Sequence, residues 1–307
     1  MKLGILVVYL VSTGNEWVLD KHLKHLSQTQ KFMKFNVYAV INRLPARFHS
    51  ALRSHDFIKI VDLPASEERE SAEHGTYLDM LAAFAIADGC DYISTFDVDS
   101  WPLRDDWIEV AHNLLAKCGA VGASVLRTEN GDTVLPHPSF SFFESKIFRD
   151  HQCRYWIPEN ERSNEFNSFL LRHKQPHDTG AAIGFFLDKF GMKWTRLTRT
   201  NLVNYHYLMG GLYGELIFHL GASSRTDMLF RKDGGTWATH VTQPMASIPI
   251  LWKYKLAAQA FLTSCYQPPV CRRNQRAFDA IAKRLKTDED GFYRELRGQT
   301  AMLSSAA

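Results

Sequence analysis

Two carboxylates one residue apart close an apolar run in Tyr92-Ile93-Ser94-Thr95-Phe96-Asp97-Val98-Asp99, with Ser100-Trp101-Pro102-Leu103 turning directly behind them. Alternation along a strand sends Asp97 and Asp99 to the same side. Nothing in the neighbouring sequence neutralises two like charges held this close, so the pair calls for a cation. Hard divalent ions such as magnesium and manganese take oxygen ligands and often share them with phosphate. A metal–diphosphate complex is the expected occupant; the plainer alternative is a pair of solvated turn acids. Other residue types could serve the same chemistry. In Glu73-His74-Gly75-Thr76-Tyr77 the glycine is a place where backbone could approach a ligand closely, with His74 beside it, unless it is a mere helix junction. Arg225 ends Gly221-Ala222-Ser223-Ser224-Arg225, and a guanidinium suits a diphosphate oxygen, although a surface arginine needs no such role. His219 follows an apolar segment, and alone it reads as readily as a core histidine. Asp178 and Thr179 are good helix starters, a role worth about 1 kcal/mol without any chemistry.

The elements around these residues follow from hydrophobic periodicity. Residues 3–10 form a continuous apolar run rich in β-branched side chains, the pattern of a strand covered on both faces. A helix is predicted over 16–30, a strand over 35–41, a short helix over 47–54 and a third strand over 57–61. Residues 66–88 read as an acidic helix start, an interruption at Gly75 and an apolar helix from 78 to 87. After the acidic pair come a helix over 105–117 and an apolar strand over 119–126. This alternation predicts a parallel, doubly wound sheet, whose ligands bind beyond the carboxyl ends of the strands. Residues 129–167 have little periodicity and are expected to be loops that shape a substrate cleft. A helix over 181–190 and a strand over 193–197 follow. The chain then continues into an apolar helix over 248–266, carrying Lys253 and Lys255, and a charged amphipathic helical tail over 272–297 with a turn near Gly291.

The totals bound the answer loosely. A chain of 307 residues can bury a substantial core, and 36 Lys+Arg against 33 Asp+Glu give no charge excess that argues for a nucleic-acid or membrane partner. Five scattered cysteines, Cys90, Cys118, Cys153, Cys265 and Cys271, form neither a disulfide framework nor a zinc knuckle and read as reduced intracellular thiols. The apolar run at 3–10 is too short to span a bilayer, and Ser12-Thr13-Gly14-Asn15 behind it is no cleavage site.

An apolar strand that ends in Asp-x-Asp after three strand–helix units resembles the GT-A class of nucleotide-sugar-dependent glycosyltransferases. The resemblance extends over residues 3–225. Pro176-His177-Asp178 stands where the class often has an acidic triplet, His219 where it often supplies a histidine to the metal site, and residues 138–143 where it has an acceptor-side strand. It implies a GT-A-like, Rossmann-like, mostly parallel sheet flanked by helices, in a catalytic domain over 1–240 with a helical C-terminal extension over 241–307. The catalytic domain would divide into a nucleotide-sugar half, 1–126, and an acceptor half, 127–240. It further implies that Asp99 touches the metal directly, that Asp97 works through ribose or water, that His219 is the third ligand, and that Asp178 is the general base of an inverting transfer, with His177 its substitute. His74, Gly75 and Arg225 would belong to the donor site. Manganese is favoured over magnesium because a neutral imidazole ligates it more readily. The donor would be a nucleotide sugar, UDP-sugar favoured, and the acceptor a saccharide or glycoconjugate. The implied setting is cytoplasmic; outside the resemblance, the C-terminal helices read as packed against the catalytic domain, with their local Lys/Arg excess alone pointing instead to weak membrane-surface or partner contact and a membrane-peripheral protein. The sequence departs from the class in having His177 for the glutamate of the triplet and Asn42-Arg43 for the usual acids after the second strand. Two other readings share the Asp-x-Asp. A phosphohydrolase of the haloacid-dehalogenase type would use Asp97 as nucleophile, but normally on its first strand. A sugar-1-phosphate nucleotidyltransferase would need a Gly-rich basic loop, for which residues 12–15 are too short.

Overall fold

The computed structural model describes residues 1–299, apart from 69, 127–134, 226–227, 231–240, 243, 246–247, 249 and 267. The first apolar run forms β1 (Leu3–Val8), paired in parallel with β2 (Asn36–Val40) on one side and β4 (Tyr92–Phe96) on the other. Parallel β3 (Ile58–Ile60) extends the β2 edge. On the far side of β4 lies β7 (His137–Glu144), antiparallel to both β4 and β6 (Gly122–Val125), and β8 (Trp194–Leu197) closes the sheet in parallel with β6. The seven-stranded order is β3-β2-β1-β4-β7-β6-β8.

Both faces of this sheet are covered, which is why β1 reads as an unbroken apolar run. Leu3, Ile5 and Val7 face one cluster, with α1 (Trp17–Phe32) contributing Leu19, Leu23 and Leu26 and α4 (Trp107–Cys118) contributing Trp107, Ile108, Ala111 and Leu115. Leu6 faces the other cluster, with Leu78 and Leu81 of α3 (Ser71–Ala87) and Ile183 and Leu187 of α7 (Ala181–Lys189). The short α2 (His49–Arg53) links β2 to β3. The architecture is thus a mostly parallel α/β sheet with flanking helices and helices at the C-terminal end of the chain, as the GT-A resemblance implied.

Residues 138–143, where the resemblance put an acceptor-side strand, lie in β7, and the rest of the stretch expected to be loops is largely ordered as well. Besides β7 it holds α5 (Lys146–His151) and α6 (Asn164–Arg172), the latter capped by Ser163, whose hydroxyl accepts from the Phe166 amide at 3.1 Å. The serine–aromatic alternation of 139–143 is a strand signal in which both faces are buried. Phe140 and Phe142 enter one core and Phe143 the other, while Ser141 bonds to its neighbours inside the sheet. Of the loop expected at 129–138, residues up to 134 lie outside the described residues.

A second sheet, of order β5-β10-β9, contains β5 (Ser100–Pro102), β9 (Gly211–Tyr213) and β10 (Ile217–His219). The C-terminal part holds α8 (Trp252–Tyr266), α9 (Pro268–Thr287) and α10 (Glu289–Leu296). Pro268 and Pro269 open α9, since a missing N–H costs nothing in the first turn.

The chain divides into two compact units, one of Met1–Arg127, Thr133–Arg199 and Tyr213–His219, the other of Thr128–Asp132, Thr200–Leu212 and Leu220–Ala307. This differs from a boundary at residue 240, because 200–212 and 220–230 are tied to the C-terminal helices. Leu202 N–H donates to Leu296 O at 2.8 Å, Tyr205 Oη to Glu295 at 2.6 Å, and Asn274 Nδ2 to Met228 O at 2.8 Å.

Candidate metal and donor site

The carboxylates are delivered by a turn, not by strand alternation. β4 ends at Phe96, whose ring is fixed edge-on by Trp107 (5.3 Å) and Phe140 (5.1 Å). Asp97-Val98-Asp99 then makes a tight turn closed by the Ser100 amide donating to Asp97 O at 3.0 Å. The turn is pegged to β7, since Ser100 Oγ donates to Ser139 O. It is also pegged to α1, where His22 Nδ1 lies 2.9 Å from Ser100 O and must carry the proton to donate to that carbonyl. His22 is fully buried, and burial holds its pKa down at about 4, so the neutral ring is the working form.

His219 arrives by register. β10 runs antiparallel to β5 with Ile217 opposite Pro102, Phe218 opposite Trp101 and His219 opposite Ser100, the residue after Asp99. Its Nε2 lies 3.3 Å from Asp99 Oδ1, with side-chain exposures of 2% and 8%. One ligand atom from each of Asp97, Asp99 and His219 falls within 4.8 Å of the others. Two carboxylates and an imidazole converging on so small a volume, two of the three buried, fit a divalent cation of the manganese or magnesium kind better than they fit one another. The ring's direction toward the carboxylates comes with the β5–β10 register, and Nδ1 of the buried His219 has no hydrogen-bond partner among the described residues.

His74 lies on the first turns of α3, and its Nε2 is 3.7 Å from Asp97 Oδ1. Burial brings its pKa to about 4, while the charges of Asp178 and Glu73 oppose that shift. Asp178 therefore stands near the same imidazole that faces Asp97. Its Oδ1 accepts from Ser71 Oγ at 2.5 Å and from the Thr179 amide at 2.8 Å, and Thr179 Oγ1 donates back to Ser71 O at 2.9 Å. The other carboxylate oxygen has no protein hydrogen-bond partner among the described residues, and Asp178 is exposed. Asp178 is not the cap of its own helix: α7 is capped by Gly180, in a left-handed conformation at φ 92° that a non-glycine residue would resist.

Other expected roles change. Gly75 does not interrupt a helix; α3 runs unbroken through it, and a Cβ there would meet Trp156 Cβ at 2.7 Å. Its smallness serves close packing against Trp156 and not the approach of a ligand. His177 is stacked on Trp156 (3.7 Å between centroids, 13° between planes), and both ring nitrogens are buried without a partner among the described residues, which removes it as a substitute base. Trp101, behind the acidic pair, is a buried turn aromatic packed between His25 and Phe218. Asn42 and Arg43 are occupied at home: Asn42 Nδ2 donates to Leu63 O and Tyr77 Oη, both at 3.0 Å, and Arg43 grips Glu73 with two 3.0 Å bonds. Arg225 belongs to the second unit, where its guanidinium lies 4.9 Å from the centre of the Phe230 ring. Sequence reading missed Ser71 and Asp79. Asp79 accepts from the Tyr155 and Trp156 amides at 2.5 and 3.1 Å and so anchors the segment that stacks on His177. A helical acid on the buried side of an otherwise apolar stretch was the available signal for Asp79; for Ser71 there was none.

No family model matches this chain, and no curated protein does. Solved structures do. The mannosyltransferase PcManGT from Pyrobaculum calidifontis, in complex with GDP-Man and Mn2+, is 15% identical over 98% of this chain and 83% of its own, with a TM-score of 0.45. TarS from S. aureus, in complex with UDP, is 15% identical over 64% of this chain, with a TM-score of 0.42; the chain spans 58% of that protein. A Bacillus anthracis protein described as a glucose-1-phosphate thymidylyltransferase, in complex with sucrose, is 12% identical over 69% of this chain and 89% of its own, with a TM-score of 0.38.

Proposed function

We propose that this chain is a GT-A-class, metal-dependent glycosyltransferase that moves a sugar from a nucleoside-diphosphate sugar, UDP-sugar favoured, to a hydroxyl of a saccharide or glycoconjugate acceptor, with inversion at the anomeric carbon. The convergence of Asp97, Asp99 and His219 within 4.8 Å carries the reading. Asp99 and Nε2 of His219 would hold manganese or magnesium directly, with Asp97 acting through ribose or water. When bound, the ion supplies positive charge against the departing nucleoside diphosphate. His74 would orient Asp97. Asp178 would act as general base: its Oδ1 is held by Ser71 and Thr179, which leaves Oδ2 to take the acceptor's O–H proton. The acceptor oxygen forms the new bond to the anomeric carbon as the bond to the diphosphate oxygen breaks, and that electron pair leaves with the diphosphate. The reading sets the protein in the cytoplasm, peripheral to a membrane, in glycan or glycoconjugate synthesis. A dehalogenase-type phosphohydrolase would want its nucleophile after the first strand, whereas Asp97 follows β4.

Two substitutions test it, assayed against a panel of nucleotide sugars with manganese. Asp99→Ala is expected to abolish both transfer and metal-dependent nucleotide binding. Asp178→Asn is expected to keep nucleotide binding and lose turnover by about 100-fold or more. Metal-independent donor binding at full strength in Asp99→Ala would overturn the metal assignment, and undiminished turnover in Asp178→Asn would overturn the base.

A further inference from the structure

We propose that the C-terminal helices dock on an anionic lipid surface, with α8 lying in the plane of the interface. Tyr254, Ala257, Phe261 and Cys265 of α8 recur at spacings of a single helical face, Ile250 stands in the turn just ahead of it, and every one is exposed. The three large side chains among them are 72%, 53% and 68% accessible. Leu251 and Leu256, also exposed, widen the stripe. Scattered apolar side chains on a surface are ordinary; a row of them along one helix is not. No described helix is long and apolar enough to cross a membrane, and α8, with 15 residues, would reach only about 22 Å of a core about 30 Å thick.

Charge selects the occupant. Residues 250–287 contain eight Lys or Arg against the single acid Asp279. The next helix, α9, buries Phe278, Ile281, Ala282 and Leu285 and turns Arg272, Arg273, Arg276, Lys283 and Lys286 to solvent. Lys253 is exposed on α8 itself, its ammonium 5.0 Å from the centre of the Tyr254 ring. An apolar row with a dense basic face on consecutive helices is the pairing that anionic headgroups over acyl chains satisfy. A second copy of the chain meeting this surface by two-fold symmetry would bring the same basic face against itself.

The proposal does not rest on the transferase reading, and its test needs no turnover. The full chain is mixed with vesicles of phosphatidylcholine alone or with about one third phosphatidylglycerol, and the bound fraction is read by sedimentation. Binding is expected to the anionic vesicles only and to weaken with added salt. Tyr254→Ser/Phe261→Ser and Arg272→Glu/Arg276→Glu are each expected to bind about tenfold more weakly. All four positions are exposed, and an unchanged thermal midpoint shows that each variant is folded. Absence of wild-type binding overturns the proposal, as does wild-type-like binding by both variants. So does loss of a wild-type dimer in the serine variant, seen by light scattering without lipid, which would assign the stripe to a second copy.

Discussion

Each site side chain is held by a bond made with a part of the chain far away in sequence, and this separates what could be read from what could not. Asp97 and Asp99 were legible because acids after an apolar strand are anomalous in themselves. Their convergence with His219 depends on a pairing register between β5 and β10, set more than a hundred residues apart, and no local pattern encodes it. The histidines carry a measurable consequence. Burial, opposed by the bond to Ser100 O and the charge of Asp99 for His22 and by the charge of Asp178 for His177, holds both folded-state pKa values at about 4 against the ordinary 6.5; His25 and Arg162 push the same way as burial. Between those limits the unfolded chain binds protons that the folded chain does not. Stability from this source is complete above pH 6.5 and is lost as pH falls toward about 4, at up to about 1.4 kcal/mol per pH unit for each histidine. His177→Gln should flatten the pH dependence of the urea midpoint across that window by one proton's share while leaving it unchanged above. Equal slopes in the two proteins would mean that His177 titrates normally.

At the scale of elements, the alternation of strand and helix announced the parallel half of the sheet, but not β7. An antiparallel strand inserted between β4 and β6 has no signature of direction, and its serines made it look like loop. Those serines are the reason it can sit there. Ser141 O accepts from Ser94 Oγ at 2.6 Å, Ser141 Oγ pairs with Thr95 at 2.8 Å, and Ser124 Oγ donates to His137 O and Phe140 O where the β6–β7 register slips. Polar side chains thus spend their hydrogen bonds inside the sheet and the aromatics fill both cores. α3 works in the same way: it is not only a cover for the sheet but the part that seats Trp156, through Gly75 and Asp79. Alanine at 75 should gain about 0.5–1 kcal/mol in helix propensity and lose about 1–3 kcal/mol to the clash with Trp156, a net destabilisation. Only removal of the Trp156 Cβ relieves the clash, so in a Trp156→Gly background the same Gly75→Ala change should become neutral or stabilising. A urea double-mutant cycle reads this reversal directly, and additive effects would show that Gly75 and Trp156 do not press on each other.

For the whole molecule, the consequence of the site is that folding and ligand binding share one reservoir of free energy. The three candidate ligands come from the turn behind β4 and from β10, so an ion held by them links segments that separate when the first unit unfolds. In the absence of an ion the buried Asp99–His219 pair carries the desolvation cost with one close contact between them. A ligand that binds only the folded chain stabilises it by mass action, by about 2.7 kcal/mol at 100 times its Kd. For a domain of roughly 200 residues that is a rise in Tm of about 5–10 °C. Manganese together with UDP should produce a shift of this order, and either one alone a smaller one, because the proposed site needs the diphosphate to complete the ion's shell. Asp99→Asn and His219→Gln should each remove most of the shift whatever they do to the starting Tm, whereas Phe261→Ser, on the exposed face of α8, should keep it whole. A full shift retained in both ligand variants would place the ion elsewhere, and the convergence of these three side chains would then be a matter of folding alone.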